Sequence, residues 1–381
     1  MILKGANVFL LEEKGFVKKD IQFENGKIIK IDDFIDGEQS IDLEGKFITP
    51  GLIDAHSHIG MWEEGLGAEG ADGNDMSSPI TPELRAIDGI NPMDIAFKEA
   101  IKGGVTTVST GPGSTNVIGG QFLIMKLHGN LVDDMVIKSP SAMKCAFGEN
   151  PKKYFGAEGK APFTRMGIAS MLREALNKAI DYDRRIKAAG DDQLKKPPYN
   201  EKLENLRMVI NNEIPLKAHV HRADDIATAI RISEEYGIAI TLDHCTEGHL
   251  IKDKIKDAGL SAIVGPTFGF RSKNEILNKS FETCSSLAKA GIKIAIMTDH
   301  PVLPQSSLIM WSALAAKEGL DDYDAIKAIT INPAEILDID HKVGSIEVNK
   351  DADLVVWSQY PLDINSKVIY TYIDGELVYK R

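Results

Sequence analysis

The feature that most constrains this chain is a change of pattern between its ends and its middle. Residues 1–50 alternate apolar and polar positions in short runs, as in 21–31, where two such runs flank Asn25-Gly26. Asn-Gly between alternating runs is a strong hairpin signal. The last forty residues repeat the style, with Asp374-Gly375 between the runs 368–373 and 376–379. Between the ends, apolar runs alternate with stretches of helical period. Strands are predicted at 52–58, 105–110, 142–147, 215–220, 238–243, 261–265 and 293–298. An eighth is expected within 119–138, where 122–127 and 135–138 compete. Helices are predicted at 92–102, 165–189, 224–236, 250–258, 273–290, 306–318 and 323–331.

Strand and helix in alternation predict a parallel sheet with crossover helices. The α/β fold expected is a TIM-type (β/α)8 barrel over residues 51–343. A doubly wound open sheet is the alternative. Neither terminal part can bury both of its faces alone. The two are therefore expected to pack together as one composite β-sandwich, residues 1–50 plus 344–381.

Composition excludes some functions. The net charge is −12, from 44 basic and 56 acidic residues. Nucleic acid and anionic membrane surfaces both call for clustered positive charge, so neither partner is expected. Cys145, Cys245 and Cys284 are too scattered for a disulfide framework, which fits a reducing compartment. The N-terminal apolar run has no basic segment before it, and no run reaches the ~18 apolar residues of a membrane span. A soluble cytoplasmic protein acting on a small molecule, with homo-oligomer formation open, is expected.

The predicted barrel strands end in residues that bind metals. Asp54-Ala55-His56-Ser57-His58 ends the first, and residues two apart in a strand share a face. Both imidazoles then point to the C-terminal mouth, where such barrels place their chemistry. Two polar rings side by side need a partner, and a metal serves both. His219-Val220-His221, Asp243-His244 and Asp299-His300 end later strands, and Glu149 follows another. Mixed imidazole and carboxylate donors fit Zn²⁺ best, with Mn²⁺, Fe²⁺ or Ni²⁺ as alternatives.

At this point the chain resembles the amidohydrolase superfamily, and within it the imidazolonepropionase-like group. The carriers are residues 49–58, Gly104-Val105-Thr106-Thr107-Val108, His219, His244, Thr298-Asp299-His300-Pro301, Thr330-Ile331-Asn332-Pro333-Ala334-Glu335 and residues 344–355. The resemblance implies a metal-dependent hydrolase of carbon–nitrogen bonds with one or two divalent ions. Carried over by position, His56 and His58 bind one metal and Asp299 completes its shell. His219 and His244 bind a second or share the first. Such sites are bridged by a glutamate or a carbamylated lysine. Glu149, just past a strand end, is the choice, and Lys144 is its rival. A bound metal brings its water to a pKa of roughly 7, and the resulting hydroxide attacks. Asp299 then acts as general base and later as general acid.

His221 and Arg222 are expected to face substrate, and Arg165 and Arg271 to be able to clamp a carboxylate. The substrate expected is a small amide, cyclic amide or dipeptide. A deaminase is the runner-up, although the run His219-Val220-His221-Arg222-Ala223-Asp224 lacks the glutamate such enzymes carry there. A metal-free scaffold is the alternative from another class. Gly65-Leu66-Gly67-Ala68-Glu69-Gly70 matches a dinucleotide fingerprint only in form, since it does not join a strand to a helix.

Overall fold

The computed structural model describes residues 1–381. Five strands come first: β1 (Ile2–Leu10), β2 (Gly15–Glu24), β3 (Lys27–Asp32), β4 (Ser40–Asp42) and β5 (Phe47–Pro50). Eight follow: β6 (Leu52–Ser57), β7 (Val105–Thr110), β8 (Ile118–Lys126), β9 (Val136–Ala146), β10 (Leu216–Val220), β11 (Ile240–His244), β12 (Ala262–Val264) and β13 (Ile294–Ile296). The last three are β14 (Leu354–Trp357), β15 (Val368–Ile373) and β16 (Glu376–Lys380).

Strands from both chain ends form one hydrogen-bonded sheet in the order β16-β15-β14-β5-β1-β2-β3, with β4 paired to β1. The hairpins lie where the sequence signals placed them. Asn25 (φ +48°) and Gly26 (φ +79°) turn β2 into β3, and Asp374 (φ +50°) and Gly375 (φ +72°) turn β15 into β16. Two successive left-handed residues match the twist of a two-residue hairpin. β5 and β14 join the ends in antiparallel register, Ile48 opposite Val356. Leu3, Val8, Ile21, Ile48, Leu354, Val356 and Tyr372 pack into one buried cluster. Pairing across the two ends gives a single sheet path, where two packed sheets were expected.

The middle strands form a second eight-stranded sheet in the order β13-β12-β11-β10-β9-β8-β7-β6. It is nearly closed. At its seam the Asp54 carboxylate of β6 accepts from the Thr298 backbone N–H (3.0 Å), the Thr298 hydroxyl (2.6 Å) and the Gln305 amide (2.9 Å). The His58 N–H donates to the His300 carbonyl at 2.9 Å. The eighth strand is the 122–127 candidate, and 135–138 is instead the start of the long β9. β8 runs antiparallel to both neighbours, a departure from the all-parallel expectation. Its connections are too short for a crossover helix, which a parallel pair needs.

The helix Arg165–Ala189 has the predicted bounds, with the Thr164 side chain accepting from the Gly167 N–H. It buries Ile168, Leu172, Leu176 and Ala179, a face of helical period. Two other helices differ from expectation. The 323–331 stretch splits into Asp322–Lys327 and Ile331–Ile336, the second with Pro333 in its first turn, where proline is tolerated. The 273–290 stretch is α-helical only over Glu282–Lys289, with a single 3-10 turn at Asn274–Ile276. The rest of residues 265–281 is loop. Arg271 donates to the Leu277 and Lys279 carbonyls, and Lys279 to those of Phe268 and Phe270. Those tertiary and side-chain bonds override the helical period.

One buried ion cluster links the two sheets. Lys126, at the end of β8, reaches Asp351 (2.7 Å), Asp353 (3.0 Å) and Asp374 (2.5 Å). Burial pushes the Asp353 carboxyl up to about 6, although Lys126 opposes it. Removing one member of a buried pair strands the other charge, which costs roughly 3–5 kcal/mol. Lys126→Met is therefore expected to destabilise by about that amount in urea unfolding. A loss under ~1 kcal/mol would show that the aspartates find other partners and that the cluster is not a clamp.

Candidate metal centre

Two groups of three ligand-type side chains meet at the mouth of the second sheet. His56 and His58, two apart on β6, join Asp299, which follows β13. Asp299 Oδ1 is 3.4 Å from His56 Nε2 and 3.2 Å from His58 Nε2. His219, His221 and His244 make the other group, and within each group the donor atoms lie within 4.8 Å of one another. The His56 and His244 rings, one from each group, are 5.4 Å apart. His244 (φ +69°) and Asp299 (φ +55°) are left-handed. That conformation costs about 1–3 kcal/mol and persists where surrounding structure imposes it.

Four of the five rings are oriented through Nδ1. His56 Nδ1 meets Asp243 Oδ2 at 2.6 Å, and His58 Nδ1 meets the Gly111 carbonyl at 2.6 Å. His244 Nδ1 meets the Gly265 carbonyl at 2.8 Å, and His221 Nδ1 meets the Thr246 hydroxyl at 2.8 Å. His219 is reversed: its Nε2 faces neighbours, and its buried Nδ1 has no partner. His221 Nε2 and His244 Nε2 are also buried without partners. Buried nitrogens left unpaired are costly. A rear hydrogen bond with an open front nitrogen is the arrangement of a metal-binding histidine. The donor set therefore fits one or two divalent ions.

The electrostatics agree. Burial, then the Lys144 ammonium, lowers His56 to about 4. Burial also holds His219, His221 and His244 well below the usual histidine range. All four are thus neutral at neutral pH, as ligands must be. Burial would raise Asp299, but the hydrogen bonds of His56 and His58 oppose it and keep the carboxylate ionised. Asp243 is held ionised against its burial by the Lys217 ammonium and the hydrogen bond from His56.

Glu149 does not join either group. It begins the helix Glu149–Ala157 and does not line the cavity. Its backbone N–H donates to Glu275 Oε2 at 2.8 Å. Lys144 is fully buried in β9, and its Nζ lies 3.2 Å from His56 Nε2. Burial lowers its ammonium to about 8. A lysine's four-carbon stem lets a residue three positions down the strand reach the centre. Position along the strand, without side-chain reach, favoured the shorter residue.

His58, His219, His221 and His244, with Asp299, open into a cavity of about 430 Å³. His221 lines it, as expected. The three arginines do not. Arg165 pairs with Asp225 at 3.0 Å, Arg222 with Asp224 at 2.9 Å, and Arg271 is spent on carbonyls of its own loop. Lys273 and Lys279 are the cations on the wall, with Trp62, Phe268 and Phe270. A larger open cleft along the helix Arg165–Ala189 contains none of the histidines.

Glu275 was missed by sequence reasoning. It is 1% exposed, with Oε1 3.6 Å from His219 Nε2, 3.7 Å from His221 Nε2 and 2.5 Å from Lys273 Nζ. It lies in a stretch that reads as helix surface, so no local signal marks it.

The chain is similar in sequence and in shape to known proteins. An amidohydrolase structure from Thermotoga maritima is 41% identical with a TM-score of 0.97, and the match covers 100% of both chains. Amidohydrolase tasK of Hapsidospora irregularis is 29% identical over 93% of this chain. The chain spans only 39% of the length of that relative. Imidazolonepropionase of Fusobacterium nucleatum is 23% identical over 99% of this chain and 94% of that protein. The Amidohydrolase family profile matches residues 47–378, from β5 to β16 and so across every donor described above. By the extent of that match, the chain belongs to the amidohydrolase family.

Proposed function

We propose that this protein hydrolyses a carbon–nitrogen bond in a small amide, cyclic amide or dipeptide-type substrate. The observation that carries the reading is the pair of ligand-type groups, three histidines in one and two histidines with an aspartate in the other, gathered at one mouth with Lys144 reaching His56. His56, His58 and Asp299 would hold one divalent ion, and His219 and His244 a second or the same one. Zinc suits this donor set best. Such an ion supplies Lewis acidity toward the scissile carbonyl and an activated nucleophile at neutral pH.

Lys144 is proposed as the bridging group. Its neutral amine would add to CO2, forming the N–C bond of a carbamate and releasing one proton. An ammonium lowered to about 8 leaves a usable neutral fraction at neutral pH. Asp243 orients His56, and Lys217 holds Asp243 in turn with a 3.3 Å contact. Asp299 accepts the proton of the attacking water and returns it to the leaving nitrogen. His221 and the aromatic wall contact the substrate. Lys279 is the wall cation without a carboxylate partner; two of its three donors go to the Phe268 and Phe270 carbonyls, and the third suits a substrate carboxylate.

The test is a screen of N-acyl amino acids, dipeptides and imidazolone-type lactams, as free acids and as amides, with amino-heterocycles alongside. Hydrolysis of an amide, abolished by a chelator and restored by zinc, is the expected result. Protein purified without bound transition metal, or ammonia released only from amino-heterocycles, would overturn the reading.

A further inference from the structure

The chain carries a net charge of −12, yet the cavity wall runs the other way. Lys273 and Lys279 line it, and Asp299 is its sole carboxylate. Asp299 is engaged by His56 and His58, 3.4 and 3.2 Å away. Glu275, close behind the wall, is spent on Lys273 at 2.5 Å and on the Glu149 N–H at 2.8 Å. A substrate ammonium entering here meets two like charges and no free counter-charge, whereas a carboxylate is attracted.

Ser114, also on the wall, has a donor to offer. Its hydroxyl oxygen accepts from Asn150 Nδ2 at 2.8 Å. That direction is set from behind. The Lys273 ammonium can only donate, and it holds Asn150 Oδ1 at 3.2 Å. The amide therefore turns its NH2 toward Ser114, and the same nitrogen is 3.5 Å from His219 Nε2. Ser114 makes no other side-chain hydrogen bond, so its proton is left for the cavity. A hydroxyl that already accepts is polarised and donates more strongly. Lys273, Asn150 and Ser114 thus form a chain of donors that ends at the cavity.

The backbone around Ser114 is held beside the donor groups. The Gly111 carbonyl, three residues earlier, meets His58 Nδ1 at 2.6 Å. A Cβ on Gly113 would lie 2.5 Å from Asn74 Oδ1 and 2.9 Å from the Trp62 ring, so both side chains pack on its bare backbone. The Gly113 N–H donates to the Gly73 carbonyl at 2.8 Å. The Trp62 and His58 ring centroids are 5.2 Å apart. The long stretch after β6 therefore braces the segment that presents Ser114.

We propose that Ser114 is a substrate-binding residue whose hydroxyl donates to an acceptor oxygen of the substrate, and that the substrate is an N-acyl amino acid, with a carboxylate and no free ammonium. This rests on the reading of the site as an amide hydrolase. Matched pairs test the substrate class: N-acetyl-leucine against glycyl-leucine, and N-acetyl-phenylalanine against glycyl-phenylalanine, each pair differing by one ammonium. With zinc-loaded protein, kcat/KM is expected to be at least tenfold higher for the acetyl member. Ser114→Ala is expected to raise KM for that member about tenfold, the loss of one hydrogen bond, with kcat within threefold and zinc content unchanged. Ser114→Thr keeps the hydroxyl and should recover most of the loss. A smaller ratio within the pairs, or turnover of neither member while a lactam is hydrolysed, would overturn the substrate class. A wild-type KM in Ser114→Ala removes Ser114 from substrate binding. Protein that hydrolyses no amide, lactam or dipeptide of the screen brings down the hydrolase reading instead.

Discussion

Asp299→Asn is expected to lower kcat by about 10²–10⁴-fold, the range assigned to a positioned general base and acid. The substitution is nearly isosteric. Asparagine tolerates the left-handed conformation seen at this position, φ +55°, so the local fold should survive. An amide oxygen remains available to a cation, but the group can no longer accept a proton from water or return one to a leaving nitrogen. Its amide nitrogen can also turn toward His56 and His58, whose Nε2 atoms lie 3.4 and 3.2 Å from Asp299 Oδ1. Metal content should therefore fall by less than turnover does. Kinetics on the best substrate of the screen, with metal analysis of the same sample, check both parts. A variant within threefold of wild-type kcat would remove Asp299 from the proton path.

The second large effect separates Lys144 from Glu149. Lys144→Ala is expected to lose at least half of the bound metal and nearly all activity, while Glu149→Ala keeps both. The difference follows from placement. The lysine Nζ sits 3.2 Å from His56 Nε2, whereas the glutamate starts a helix and lies outside both donor groups. Thermal unfolding of the metal-free forms controls for folding, because alanine at a fully buried lysine leaves a void. Metal retained in Lys144→Ala and lost in Glu149→Ala would reverse the assignment.

Much of this was legible in the sequence because it depends on local period. Alternation over 21–31 and 368–379 specified the two hairpins, and the left-handed pairs Asn25-Gly26 and Asp374-Gly375 realise them. Apolar runs located the barrel strands, and a spacing of two put His56 and His58 on one face. Other features depend on distance along the chain. The direction of β8 followed from the lengths of two connections, and the apolar content of 122–127 carried no sign of it. Arg165, Arg222 and Arg271 carry the charge that a carboxylate clamp needs, yet each is occupied by partners close in space. Lys144 looked too deep until the register of β9 beside β10, Cys145 opposite Ala218, set the depth of its stem.

The sequence by itself determined the strand ends and the donor types, since both follow from periodicities of two and 3.6 residues. Only the tertiary structure decided which donors share a cavity, which nitrogen each histidine presents, and which buried carboxylate stands behind them. Those outcomes depend on where a carboxylate or carbonyl from another element falls: Asp243 hydrogen-bonded behind His56, Gly265 behind His244, and the Glu275 carboxylate near His219 from a loop that reads as helix. No local pattern encodes such a partner, because its position is set by the closure of the barrel.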